Sequence, residues 1–316
     1  MSDEVREIAA ALLYEGYLLW PYRRSALKNG RRWTFGGVLP AAYDPGPGDG
    51  DRCTVLTECL VEAPAGPLAV ELRFLHTVRR EVRRHGRPVD EFTAAGRRYL
   101  PGEEAVERTV RAVGAARTEI EVPAGEAAER LPGGGSVVRS WQGLHGTMAV
   151  LTRPILDDVH VVTVEVRNTT PGDFPSRDAA LPCAFNSAHL IITAGGRFLS
   201  LADPPERLRT AAASCRNVGL WPVPAGTGGD TALAAPIILP DHPRVAPESP
   251  GDLFDATEID QLLTLGLLSL GEEERREIRD GDPRAREILD RIAALSPEDL
   301  MRLNGVIREF RPLREA

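Results

Sequence analysis

At 316 residues, with 42% hydrophobic and 27% charged side chains, the chain can bury a sizeable core as one large domain or as two. Its net charge of −8 is uneven: residues 1–100 carry 15 Arg/Lys against 13 Asp/Glu, whereas residues 241–316 carry 11 against 18. The acidic end disfavours nucleic acid as the main partner. No apolar run approaches the ~20 residues that cross a bilayer, and Lys28, the only lysine, leaves no Gly-Lys-Ser/Thr phosphate loop.

In chain order, residues 3–20 predict an amphipathic helix, with Val5, Ile8, Leu12 and Leu19 on one stripe and Pro21 ending it. The start, MSDEVREIAA, is acidic and lacks a secretory pattern, which sets a cytoplasmic expectation. An aromatic and basic stretch follows, from Tyr14 to Trp33, containing Tyr17, Trp20, Tyr22, Arg23 and Arg24. Such rings either dock a helix onto a sheet or offer a binding surface. Residues 44–51 read as a loop without the ligand order of a calcium hand.

Strands are expected at 53–60 and 68–75, then a basic turn or edge at HTVRREVRRHGR. Val106, Val110 and Val113 are spaced to suggest a short helix over 103–113. From about 117 to 201 the signals are β: RTEIEV, VVRSW, HGTMAVL, VHVVTVEVRN, HLIITA and RFLSL, separated by turns. Residues 202–235 look loop-rich, and PIIL (236–239) reads as a last buried strand. After a proline-punctuated connector, helices are expected from Thr257, near 272–279, from Asp282-Pro283 and from Ser296-Pro297.

These elements predict an α+β fold: a mainly antiparallel, sandwich-like β body with an N-terminal helix and a C-terminal helical tail. The boundaries expected are 1–50 for the helix and the aromatic–basic segment, 51–240 for the β-rich body, and 241–316 for the connector and helical region.

Chemistry is less legible. HExxH, CxxC, GxSxG and GxGxxG patterns are absent from the sequence. Cys53, Cys59, Cys183 and Cys215 do not suggest a disulfide framework; they read mainly as small core residues, with Cys215, placed in a loop, the exception to test. Asp241, His242 and Cys215 form one alternative, a transition-metal site, whether for a metal-binding protein or a metal-dependent enzyme. Asp252 and Asp255 suit turn and helix-start roles first.

Several phrases have distinctive wording: YEGYLLWPYRRSALKN with WTFGGV, TECL with RFLH, LADPPE, CRNVGLWPV, and APESPGDLFDATEID followed by GDPRAREIL. On these the chain resembles a family of proteins encoded within actinobacterial-type nickel–iron hydrogenase gene clusters. The resemblance covers residues 14 to about 290. It implies a cytoplasmic accessory role in hydrogenase maturation or assembly; together with the missing catalytic patterns and the uneven charge, the expectation is a non-enzymatic protein that acts by protein–protein binding, without a cofactor. The partner would be a hydrogenase subunit or a maturation factor. The candidate contact residues are Tyr17, Trp20, Tyr22, Arg23, Arg24 and Trp33, together with Asp252, Phe254 and Asp255 of the connector.

Overall fold

The protein is represented by a computed structural model that describes residues 3–15, 36–43, 51–63, 66–156 and 158–244, with single positions between 271 and 294. After helix α1 (Asp3–Glu15) come strands β1 (Thr54–Glu62), β2 (Ala69–Arg84), β3 (Arg87–Pro88), β4 (Phe92–Ala94) and β5 (Arg97–Tyr99). Next are β6 (Gly102–Val113), β7 (Arg117–Val122), β8 (Gly125–Leu131), β9 (Gly135–Trp141), β10 (Leu144–Leu156) and β11 (Val159–Asn168). Helix α2 (Arg177–Ala180), β12 (Asn186–Thr193), β13 (Arg197–Leu199), helix α3 (Arg209–Ser214), β14 (Trp221–Ala225) and β15 (Thr231–Ala235) complete the order.

Two sheets face each other. The first runs β13-β1-β11-β10-β7, and the second β14-β15-β12-β2-β9-β8, with β3 and β6 along the other side of β2. All named strand pairs are antiparallel. Alternation sends every second side chain inward. Val55, Cys59 and Val61 of β1, Met148 and Val150 of β10, and Val162, Val164 and Val166 of β11 meet Val70, Leu72 and Phe74 of β2, Leu190 and Ile192 of β12, and Ala232 and Ala234 of β15. The β-branched run of β11 suits this central position, since such side chains pack well on a pleated surface. Phe74 and Phe185 stack at a tilt near the middle, with ring centroids 4.8 Å apart.

Helix α1 forms a third layer. Its stripe Val5, Ile8, Ala9 and Leu12 is buried on the outer face of the second sheet, against Ile191, Val223, Leu233 and Ala235. The α+β, sandwich-like body with an N-terminal helix is therefore as the sequence implies. No described helix is long and apolar enough to cross a membrane.

Three local expectations are corrected. Residues 103–113 are not helical but form β6, paired with β2 from Ala69↔Val113 to Arg80↔Gly102. The basic stretch HTVRREVRR is not a turn but the continuation of β2, which pairs onward with β9. PIIL is not a buried strand: the last described strand ends at Ala235, Pro236 has no N–H to extend a ladder, and Ile238 is 81% exposed. The loop-rich 202–235 also holds α3, β14 and β15, and the Ala-rich TALAA of β15 carries little strand propensity of its own. Helical positions at 272, 275, 276, 279, 286, 289, 290 and 293 agree with two of the expected C-terminal helices, and Leu289 of the expected apolar stripe is buried. The helices expected from Thr257 and from Ser296 lie outside the described residues.

Candidate functional site

The least ordinary chemistry lies where β2 changes partners. On one side of β2, β12 pairs with residues 69–75 and β9 with residues 79–84, so His76, Thr77 and Val78 sit in the seam between them. The β12 register slips between Asn186 and His189, and Ser187 in this bulge has φ +51°, a left-handed backbone that is rare for serine. Asn186 Nδ2 donates to Thr77 Oγ1 and to the Leu181 carbonyl, both at 3.3 Å. His189 Nδ1 lies 3.1 Å from the Ser187 carbonyl, which can only accept, so this nitrogen carries the proton.

His76, Thr77, Asn186, Ser187 and His189 are all buried. Even so, Asn186 Oδ1, Ser187 Oγ, His189 Nε2 and both His76 ring nitrogens have no hydrogen bond of good geometry. For Asn186, Ser187 and His189 each such atom costs about 1–3 kcal/mol of desolvation, whereas the His76 ring keeps weaker contacts to the Gln142 and Pro182 backbone. Burial, with Arg73 adding to it against the Ser187 bond, pushes the His189 pKa down to about 4. His76 is also lowered to about 4, by burial first and then Arg108, against the opposing backbone at Gln142 and Pro182. Both imidazoles are therefore neutral at neutral pH. They do not form a pair: His189 lies opposite Arg73, on the α1 face, whereas His76 shares the Phe74 face.

Both flanks of the aromatic–basic stretch are pinned beside this seam. Leu13 of α1 packs against Leu75 and Leu181. Gly36 re-enters next to the bulge, where the Ala188 N–H donates to its carbonyl at 2.9 Å. Gly36 has φ +70°, and a Cβ there would stand 2.8 Å from Pro236 Cγ and 3.2 Å from Ser187 Cα. The glycine of WTFGGV is thus required by a left-handed turn and a close approach.

A second polar cluster joins β1 to the 215–219 segment. Val218 and Leu56 exchange backbone hydrogen bonds of 2.8 and 2.9 Å. Asn217 then extends the ladder with its side chain: Oδ1 accepts from Glu58 N–H at 3.0 Å and Thr57 Oγ1 at 2.8 Å, and Nδ2 donates to the Glu58 carbonyl at 3.3 Å. The Glu58 carboxylate accepts from Arg216 N–H at 2.7 Å and Thr163 Oγ1 at 3.4 Å. So TECL and CRNVGLWPV are two halves of one hydrogen-bonded unit. Leu201 of LADPPE packs nearby, against the cluster that contains Leu60.

Among the residues proposed for a metal, the Cys215 thiol donates to the Ala211 carbonyl at 3.5 Å. Burial and then Glu58 push its pKa up to about 11 despite Arg153, and burial drives Cys59 further up. Cys215 sits on the outer face of the first sheet. His242 instead caps the β14–β15 hairpin: its N–H donates to Pro224 at 2.7 Å, and Nδ1 lies 3.0 Å from the Gly226 carbonyl. His242 lines an open hollow with Gly226, Thr227, Pro243 and Arg244. Asp241 is exposed. Asp241, His242 and Cys215 are thus not gathered, and among the described residues no three His, Cys, Asp or Glu side chains are placed to hold an ion.

Tyr17, Trp20, Tyr22, Arg23, Arg24 and Trp33, and likewise Asp252, Phe254 and Asp255, lie outside the described residues. The seam itself escapes sequence reasoning, although Asn186-Ser187 interrupting an otherwise apolar run, with His189 two residues on, is the signal that marks it. No family model matches the chain, and no curated protein does.

Proposed function

We propose that the protein is a cytoplasmic, non-enzymatic accessory that binds a hydrogenase subunit or maturation factor during assembly of a nickel–iron hydrogenase. The observation that carries this reading is the anchoring of the aromatic–basic stretch. Its flanks, Leu13 and Gly36, are both held at the β2–β12 seam of a rigid sandwich. Segments displayed between fixed points on a scaffold are where binding residues concentrate, and Trp, Tyr and Arg are the residue types that dominate interface energies. The wording of the segment, shared with TECL, LADPPE and CRNVGLWPV, supplies the hydrogenase connection. In the described body TECL and CRNVGLWPV form the hydrogen-bonded unit around Glu58 and Asn217, and Leu201 of LADPPE packs against the cluster that contains Leu60.

The test is co-purification of the tagged chain from cells maturing the enzyme. A hydrogenase subunit or maturation factor should be retained, and Trp20→Ala combined with Arg23→Glu and Arg24→Glu should abolish retention while leaving the thermal melt of the body in place. Capture that the triple substitution leaves intact, or no capture of any such protein, counts against the reading.

A further inference from the structure

Strand β6 is the long open edge of the second sheet. Among the described residues it pairs with β2 and with no other strand. The Gly114 N–H donates to the Leu68 carbonyl, and that pairing continues as Ala112 with Val70 and Val110 with Leu72. Even-numbered residues thus turn their backbone groups to β2, and the odd-numbered residues 105–113 turn theirs outward. An exposed row of N–H and C=O groups is a template for another strand unless the edge is blunted.

Charges of one sign would blunt it, but here the order is acidic first and basic second. In the sequence Ala105-Val106-Glu107-Arg108-Thr109-Val110-Arg111-Ala112-Val113, the odd face reads Ala, Glu, Thr, Arg, Val. Turned antiparallel about Thr109, the same strand places Glu107 opposite Arg111 of a second copy, and Arg111 opposite its Glu107. Thr109 meets Thr109, and Ala105 meets Val113. The side chains concerned are available: Arg111 is 71% exposed, Val113 68% and Glu107 44%. Arg111 already reaches Glu71 at 2.9 Å and Glu107 reaches Arg73 at 3.2 Å, so each new pair would extend an existing ion pair across the junction.

Neighbouring registers fit worse. Centring on Glu107 or on Arg108 sets like charges face to face. Centring on Val106 depends on Glu104, which Arg80 and Arg139 already hold at 2.7 Å each.

We infer that β6 is a homodimerisation edge: two copies of the chain join antiparallel through residues 105–113, centred on Thr109, into one continuous sheet. A strand-to-strand junction of this length is small, so the dimer is concentration-dependent and of micromolar strength.

Sedimentation of the full-length protein across a concentration series tests this. The wild type should pass reversibly from monomer to dimer. Thr109→Pro removes an N–H that faces away from β2, so the sheet is retained while dimerisation is lost. Glu107→Arg alone and Arg111→Glu alone each put like charges in both pairs and should weaken dimerisation about tenfold or more. Mixing those two variants restores opposite charges at both pairs, so a heterodimer of wild-type strength should return, which a folding defect could not produce. A wild type that stays monomeric, a dimer indifferent to Thr109→Pro, or variants that fail to complement on mixing would each overturn the inference.

Discussion

The two polar clusters of this sandwich bury similar chemistry and treat it in opposite ways. Around Glu58 and Asn217 the side-chain amide of Asn217 stands in for a missing strand, with both its oxygen and its nitrogen engaged. At the β2–β12 seam, hydroxyl, amide and imidazole groups are buried more deeply, yet several of their atoms lack partners. A satisfied polar cluster adds rigidity, and a half-satisfied one subtracts stability. The first therefore reads as scaffold, and the second as a place where fold stability is given up next to the flanks of the proposed binding segment. Perturbing each cluster in turn should expose the difference.

The largest expected effect is on the response to acid. His76 and His189 stay neutral in the fold down to about pH 4, whereas an unfolded chain protonates them near 6.5. Stability present above pH 6.5 is therefore lost as the pH falls toward 4, by on the order of 2–3 kcal/mol for the fully enclosed His189. Urea melts between pH 7 and pH 4 should show this loss, and His189→Gln should flatten the curve. Next comes Asn217→Ala, which strips partners from the Thr57 hydroxyl and from both Glu58 backbone groups. It should lower stability by about 2 kcal/mol in denaturant melts.

The seam should respond in the other direction. Ser187→Gly relieves a left-handed serine and removes an unpartnered hydroxyl, so a gain of about 1 kcal/mol is expected. The smallest change belongs to Asn186→Leu. The two bonds it loses, at 3.3 Å each, are offset by removal of an unpartnered buried oxygen, and the melt should move by less than about 1 kcal/mol. If Asn186→Leu proved as damaging as Asn217→Ala, the contrast between the clusters would collapse.

The same contrast explains what sequence could convey. β11 was readable because each β-branched residue of VHVVTVEVRN agrees with its place between β1 and β10. The Val5, Ile8 and Leu12 stripe of α1 was readable for the same reason. β6 misled because an edge strand carries Glu and Arg on both faces, leaving Val106, Val110 and Val113 at an accidental helical spacing that pairing with β2 overrides. β8 and β15, rich in alanine, were silent: their strand state comes from their neighbours. Asn217 showed only as part of a distinctive phrase, because a side chain acting as a ladder rung has no periodic signature. Asp241, His242 and Cys215 are alike as ligand types, yet Cys215 packs on the outer face of the first sheet while His242 bonds to the β14–β15 hairpin and Asp241 is exposed.

Lys28, the only lysine of the chain, lies within the aromatic–basic stretch, so an amine-reactive crosslinker applied to maturing cells addresses the proposed contact surface directly. A hydrogenase subunit or maturation factor crosslinked through Lys28, and lost in Lys28→Arg, is the expected result. Adducts that persist unchanged in Lys28→Arg, or a Lys28 that captures no protein of hydrogenase assembly, would contradict binding through this segment.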